Sequence, residues 1–570
     1  MVAPGFLVIG AGSRGCSYAR AVTVATSGTI AAVAEPDAFK RRVFGKKYIW
    51  RDELPYPGQE FVTWQDWLGW EASRRATSSE WTANAHNAVK ITGVFICTLD
   101  ETHAEIIRAL APLNLHIMCE KPLALSLSDC LSISRAFLQS SAHGPPQDHS
   151  VGSEPMTDGE YRKAIPDGHI KPRPSKIFSV GHVLRYSPHN KLLRKLLLQD
   201  RVIGEVVSIE HTEPVGWWHF SHSYVRGNWR RSTPEGVGSL LTKSCHDIDF
   251  LLWLLCSPPE ADSKATPHLP SFISSTGALA HFAKARKPKR AGTATNCLSC
   301  PAEPECNFSA EKIYRDRCLR QNGDTGWPLK IVMPEIEDIV SSQGWKVAEE
   351  KLMEKLGEDY DRNVLSDEQI ASRGWYGRCV YESDNDVMDE QVVTMAWTDD
   401  PLPGQEIGRG QKIALFHMTY ATQAQCERRG KIYGSHGEIS YDSRQINVYT
   451  FADETVKPHV IAKQATEVEK SHGGGDFGLA QAFVEAVERA DSGEMSVEEA
   501  QRRFVGCDLD EIIRSHAVVF AAEEARMSRK VVDFKTWWAE KLAEYDKSVH
   551  PQKPSKDEPE LHEGGESLPS

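Results

Sequence analysis

The chain has 570 residues, of which 40% are hydrophobic and 25% charged, and a formal net charge of −13. That length allows more than one domain, each with a core of ordinary size, and the composition is that of a globular protein. No basic block stands out from the acidic background and no stretch approaches 18 uninterrupted apolar residues, so neither a nucleic-acid partner nor a membrane span is expected.

The N-terminus, "MVAPGFLVIGAGSRG", runs into a glycine motif without a basic n-region or a small-residue cleavage site. A cytoplasmic protein with reduced thiols is therefore expected. "FLVIG" (6–10), "TIAAVAE" (29–35), "VKITGVFICT" (89–98) and "LHIMCE" (115–120) are predicted buried strands, and "THAEIIRALAPL" (102–113) is a predicted helix between two of them. This alternation predicts a doubly wound parallel sheet over residues 1–140. Residues 141–175 carry many Gly, Pro and charged residues and are predicted to be a loop insertion or linker.

From 176 to 545 the pattern changes. Strands are predicted at 176–186, 204–215, 274–282, 391–398, 412–421 and 437–442, several of them alternating, with few helices between the later ones. That predicts a second α/β domain with a large, mainly antiparallel open sheet, one face of it turned to solvent or to a partner. A cysteine-containing insertion interrupts it at about 283–375, a closing helix pair is predicted over 496–526, and the polar residues 546–570 are predicted to be a disordered tail.

Gly10, Gly12 and Gly15 follow an apolar strand and open a helix. Glycines at that spacing permit a tight turn and close backbone approach to a pyrophosphate on the helix N-terminus, as in a Rossmann dinucleotide site. Glu35 closes the second strand about 20 residues later, where a carboxylate accepts from ribose hydroxyls. Glu35 or the nearby Asp37 would repel a 2′-phosphate, which favours NAD over NADP, while Arg14, Arg41 and Arg42 weigh the other way. Ser13 and Arg14 in the loop, and Thr98, His103, Glu120 and Lys121 at later strand ends, complete the predicted cofactor set.

"CEKPLALS" puts Lys121 at the end of a later strand, on the ligand-binding edge of such a sheet. A lysine there can hydrogen-bond a substrate hydroxyl or exchange a proton with it. Pro122 restricts Lys121 to extended conformations. The glycine loop, "VFICTLDETHAEIIRAL", "CEKPLALS" and "LTKSCHDIDFLLWL" together resemble the Gfo/Idh/MocA family of NAD(P)-dependent oxidoreductases, from about residue 5 to residue 535. The resemblance implies a Rossmann domain followed by an α/β domain whose open sheet forms homo-oligomers. It also implies a catalytic Lys121 and a cis Lys121–Pro122 bond.

His246 opens a helix, where the dipole disfavours the imidazolium, so a neutral general base is predicted, with Asp249 on the same face. The resemblance implies a catalytic role for His246. Where many family members carry an aspartate, four residues before that histidine, this chain has Thr242, followed by Lys243, a competitor for proton transfer. "EPVGWWHFSHSYVRGNWRR" (213–231) interleaves aromatic with polar side chains, a mixture that suits a sugar, polyol or sugar acid. Arg185, Trp218, His219, Arg226, Trp229 and Asp249 are the predicted substrate residues.

Cys297, Cys300 and Cys306 have the spacing of a structural zinc site, with Cys318, Cys379 or His281 as fourth ligand; packed thiols without metal fit the spacing equally. The acidic 377–393 segment reads as a solvated turn or a cation site, and "HGGGDF" (472–477) as a turn that borders the substrate or redirects the chain. The leading expectation is hydride transfer between NAD(P) and a sugar-like small molecule. The alternatives are an NAD-dependent glycosidase acting by transient oxidation and elimination, and a non-catalytic cofactor-responsive regulator, which Thr242 favours.

Overall fold

The computed structural model describes residues 3–76, 90–142, 175–257, 266–400, 409–461 and 472–549, with Gln464, Ala465 and Val468 between the last two stretches. The predicted linker at 141–175 falls mostly outside the described residues, as does the tail beyond Val549.

β1 (Gly5–Ile9), β2 (Thr29–Ala34), β3 (Glu60–Phe61), β4 (Ile91–Ile96), β5 (His116–Cys119) and β6 (Phe178–Val180) form a six-stranded sheet in the order β3-β2-β1-β4-β5-β6. Every pair in it is parallel. Phe6, Leu7, Val8, Val94, Phe95 and Ile96 are fully buried, as continuous apolar runs require when helices cover both faces. The strand order reverses between β1 and β4, which opens a crevice at their carboxyl ends. Phe178–Val180 was predicted to open the second unit. Instead it pairs with β5 and is buried throughout, so it completes the first sheet.

The second sheet comprises β7 (Val206–Pro214), β8 (Phe272–Ala278), β9 (Glu390–Trp397), β10 (Lys412–Thr419), β11 (Arg429–Gly434), β12 (Gly437–Tyr441), β13 (Gln445–Thr450), β14 (Thr455–Val460) and β15 (Val532–Asp533). Their order is β14-β13-β12-β11-β7-β10-β9-β8-β15. Only β7 and β10 run parallel; the other registered pairs are antiparallel. In β9, Gln391, Val393, Met395 and Trp397 are buried while the residues between them are partly exposed, the alternation of a one-sided sheet. The hairpin β13–β14 was not predicted: β14 is exposed along most of its length and has no apolar face to reveal it.

Five helices matter for the site: α1 (Ser13–Ala25), α2 (His103–Leu110), α3 (Cys245–Leu255), α4 (Gly475–Asp491) and α5 (Leu509–Ser528). Every residue of α3 is buried, because it lies between α5 and the second sheet; this explains its apolar run Phe250–Leu255. α4, late in the sequence, packs on α1 and so returns the chain to the first sheet. The insertion is helical and has its own small core, including Ile313, Tyr314, Leu329, Ile336, Leu352 and Leu356. A last helix, Phe534–Val549, extends beyond the predicted closing pair.

Candidate active site

The glycine loop divides its glycines by purpose. A Cβ on Gly10, whose φ is +93°, would lie 2.5 Å from the Cys97 carbonyl oxygen, and one on Gly15 would lie 2.1 Å from the Gly10 oxygen. These two permit strand, turn and helix to pack closely. A Cβ on Gly12 would meet nothing within 4 Å, so the middle of the loop is open to a ligand. Ser13 and Gly15 lie in the first turn of α1, whose N-cap has no side-chain hydrogen bond, and the turn's backbone donors face that opening.

Glu35 stands at the end of β2 as expected, with one oxygen accepting from Ala11 N–H at 2.7 Å and the other from Asp37 N–H at 3.0 Å. It therefore also braces the glycine loop. Asp37 caps the next helix by accepting from Lys40 N–H. Arg14 does not reach toward a phosphate. It donates to Glu120 at 2.8 Å and to both oxygens of Asp476 at 3.0 and 2.9 Å. Burial alone would raise the Asp476 carboxyl, but Arg14 and His472 hold it well below the usual carboxylate range. "HGGGDF" thus closes onto the glycine loop through Asp476, which His472 also contacts.

The Ile96–Cys119 register brings the turns after β4 and β5 together. Glu120 is buried and accepts from Tyr18 OH at 2.5 Å; burial works against its charge, but Arg14 and Tyr18 keep its carboxyl low. The Lys121–Pro122 bond is cis. Lys121 Nζ donates to the Thr242 carbonyl at 2.6 Å and lies 5.3 Å from the centre of the Trp229 ring. His103, predicted to meet the cofactor, is instead fully buried, with Nδ1 2.8 Å from the Pro122 carbonyl oxygen. That oxygen only accepts, so Nδ1 carries the proton. His516 accepts from Leu123 N–H through Nε2 at 2.9 Å. Two histidines therefore clamp the Lys121–Leu123 turn. Thr98 is tied to the Thr102 hydroxyl within the neighbouring turn.

His246 opens α3 at 7% exposure, its Nδ1 without a hydrogen-bond partner. Burial and then the charges of Lys121, Arg428, His182 and His472 hold its pKa well below 6.5, so the ring is neutral. Lys121, at the carboxyl edge of the first sheet, lies near enough to His246 for its charge to act on the ring, so the two motifs come into one neighbourhood.

Several predicted substrate residues turn away from this edge. Asp249 accepts two hydrogen bonds from Arg185, both at 2.7 Å, and Arg185 also reaches Glu511 at 2.7 Å. The Arg185 and Asp249 side chains are 3% and 0% exposed, a consequence of α3 being covered on every side, and are spent on each other. Arg226, 1% exposed, donates to the carbonyls of Arg378 and Phe308 and lies 3.4 Å from Cys297 Sγ; it ties the insertion down rather than meeting a ligand. Trp218 packs on Trp327 of the insertion, and His219 meets Trp327 and Cys426. Trp229 is the residue of the set that stands beside Lys121.

Lys243 does not compete for the proton. It pairs with Glu213 at 3.2 Å and lies 3.0 Å from Cys426 Sγ; although burial opposes its charge, Cys426 and Glu213 raise its pKa. Arg428 joins Glu213 to Asp247, and Asp247 to His211, in the same buried network.

The zinc expectation finds no support: among the described residues no three His, Cys, Asp or Glu side chains are arranged to hold a metal. Cys297, Cys300, Cys306 and Cys379 line one small void as free thiols with Arg226, whose guanidinium packs against Cys297. Cys318 lies in the insertion core, and His281 stacks on Tyr420. Nor is the acidic 377–393 segment a cation site: Asp384 pairs with Arg230 and Arg231, and Asp389 accepts three backbone N–H groups.

Sequence reading missed Asp100, at the turn after β4, whose Oδ2 accepts from Trp229 Nε1 at 2.9 Å. A carboxylate placed just past a predicted strand end, on the ligand edge, was the available signal. Burial raises its pKa while Lys121 opposes the rise.

The model of an oxidoreductase family's NAD-binding Rossmann fold matches residues 5–142, and that of the same family's C-terminal α/β domain matches residues 195–292. The chain belongs to the Gfo/Idh/MocA family. The six-stranded parallel sheet and the mixed open sheet are the two domains these models describe. A curated relative, 2,7-anhydro-N-acetylneuraminate hydratase of Escherichia coli (strain K12), is 25% identical over 167 residues, 29% of this chain; the match spans 34% of that protein's length. Among solved structures, an oxidoreductase from Agrobacterium radiobacter in complex with NAD+, L-tartaric acid and magnesium has a TM-score of 0.52 at 11% identity, over 94% of this chain and 99% of that one. A levoglucosan dehydrogenase in complex with NADH and levoglucosan has a TM-score of 0.52 at 12% identity, over 93% and 99%. At these identities the two structures speak for the Gfo/Idh/MocA fold.

Proposed function

We propose that the protein is an NAD-dependent oxidoreductase that moves hydride between the nicotinamide and a carbinol of a sugar, polyol or sugar acid. The observation that supports the reading is Lys121 at the carboxyl edge of the parallel sheet, near enough to His246 for its charge to act on the ring, with a glycine loop on the same sheet whose centre is open. The loop suits a dinucleotide: Gly10 and Gly15 are consumed by packing, and Gly12 leaves the approach clear. Gly10, Gly12, Ser13 and Gly15 would hold the pyrophosphate and Glu35 the ribose, the carboxylate at Glu35 favouring NAD over NADP. When bound, the nicotinamide supplies the hydride acceptor or donor.

The chain's own residues orient the substrate and handle the proton. Lys121, anchored on the Thr242 carbonyl, donates a hydrogen bond to the carbinol oxygen. Neutral His246 takes the hydroxyl proton. Trp229, backed by the buried Tyr224 ring at a centroid distance of 5.8 Å, offers an aromatic face to the C–H groups of a polyhydroxylated ring. The ligands levoglucosan and L-tartaric acid in the two related structures support this substrate class.

The test follows absorbance of the reduced cofactor with NAD and with NADP across sugars, inositols and sugar acids. Turnover with NAD that Lys121→Met and His246→Ala abolish, while cofactor binding persists, is expected; full turnover in both variants would end the proposal. The outer face of β10 presents Ile413 and Leu415 at 52% and 39% exposure, which supports a homo-oligomer formed through this sheet. Sedimentation of the full chain reads that state directly, and a monomer at micromolar concentration would refute it. Among the described residues no helix is long and apolar enough to cross a membrane.

A further inference from the structure

We propose that Asp100 is the carboxylate that positions Lys121, holding Trp229 against the lysine through one oxygen and presenting the charge of the other to the ammonium. This rests on the reading of Lys121 as a residue of the reaction. The two residues leave neighbouring parallel strands on the same edge, Asp100 four positions after Ile96 and Lys121 two after Cys119, and Ile96 and Cys119 are registered partners. Asp100 Oδ2 receives the indole N–H of Trp229 at 2.9 Å, and the Trp229 ring lies 5.3 Å from Lys121 Nζ. Carboxylate, indole and ammonium therefore form one chain of contacts, which crosses from the first unit to the second and back.

The alternatives for this role are spoken for. The Thr242 hydroxyl turns back to the Gly238 carbonyl, so position 242 gives Lys121 only its backbone oxygen. Glu120 is held by Arg14 and Tyr18, and its free turn is toward the Lys121 backbone N–H. Asp249 is closed by Arg185. Among the described residues the Asp100 carboxylate has one hydrogen-bond partner, a neutral indole, and no arginine or lysine ion pair within 4 Å.

The other titratable groups facing Asp100 are Glu101 and His103 on its own segment, and Cys119, Tyr224 and Cys245 on the elements packed against it. Those facing Lys121 are Glu120, His182, Cys245 and His246. Of the carboxylates in these two groups, Glu101 is exposed and Glu120 is paired, so removing the Asp100 charge changes the field at Lys121 most.

The test needs no substrate. The full chain is reductively methylated with 13C-formaldehyde, the Lys121 resonance is assigned by its loss in Lys121→Met, and its pH titration is followed by NMR. Asp100→Asn keeps an acceptor for the indole and removes only charge. The Lys121 resonance is expected to shift to a lower-pH titration in that variant than in wild type. Asp100→Glu restores most of the shift, which a purely structural role for Asp100 would not do. Wild type and Asp100→Asn titrating together would overturn the proposal. Should Asp100→Asn not fold, Trp229→Phe carries the test: it frees the carboxylate from its anchor, a smaller fall is expected, and no change overturns the proposal. The titration reads coupling without turnover, so it can fail while the proposed reaction stands. Conversely, full turnover in Lys121→Met would end the reaction proposal and leave the titration valid.

Discussion

Asp249→Ala separates a substrate ligand from a structural ion. The substitution removes the partner of a guanidinium 3% exposed, leaving Arg185 with Glu511, whose side chain is 21% exposed. Breaking a buried pair by deleting one partner costs about 3–5 kcal/mol, because the remaining charge stays buried without compensation. Glu511 retains part of the compensation, so the lower end, about 3 kcal/mol, is the expected loss. At roughly 2–4 °C per kcal/mol for a domain of this kind, the melting midpoint should fall by about 6–12 °C. The loss is also pH-dependent. Burial opposes the Asp249 charge, but Arg185 holds the carboxyl below its ordinary 3.8. Its stabilisation is therefore complete above the unfolded pKa and is lost as pH falls through the lower folded value. Thermal melts of wild type, Asp249→Ala, Arg185→Met and the double variant give the pairwise coupling, expected to be large and favourable. An unchanged melting midpoint in Asp249→Ala, with a raised KM for the substrate, would refute the reasoning and return Asp249 to the substrate site.

Gly15→Ala places a Cβ 2.1 Å from the Gly10 oxygen and should lower both the melting midpoint and NADH binding, whereas Gly12→Ala, in open space, should spare the midpoint and weaken NADH binding alone; fluorescence titration with melts separates the two. Because His246 is held neutral well below 6.5, the acid limb of kcat/KM should lie below that pH, and a limb at or above 6.5 would remove His246 as the base. Arg226→Met removes the hydrogen bonds that tie residues 308 and 378 together, so thiol reagents should reach Cys297 and Cys379 faster than in wild type, with the Lys121 edge unaltered.

Much of the fold was legible because its signals are local. Apolar runs such as "FLVIG" and "VKITGVFICT" mark strands buried on both faces, and Gly10, Gly12 and Gly15 mark a turn that larger side chains would block. β14, a strand without an apolar face, gave no such signal, and β13 carries only the short alternation of Ile446 and Val448. Phe178–Val180 was visible as a strand, but its sheet was not, because pairing depends on which edge is free once the chain has folded.

In the site, the sequence by itself determined that Lys121 lies at a strand end and His246 at a helix start, since backbone periodicity sets both. Only the tertiary structure decided what each polar residue is for. Arg14, His103, Arg185, Arg226 and Asp249 have the right chemistry for ligands, yet their partners are protein atoms brought from far along the chain. Asp100 gained its place in the same way, through Trp229, 129 positions away. A buried charge must be compensated by whatever the fold places beside it, and that neighbour is not written in the residue's own surroundings in sequence.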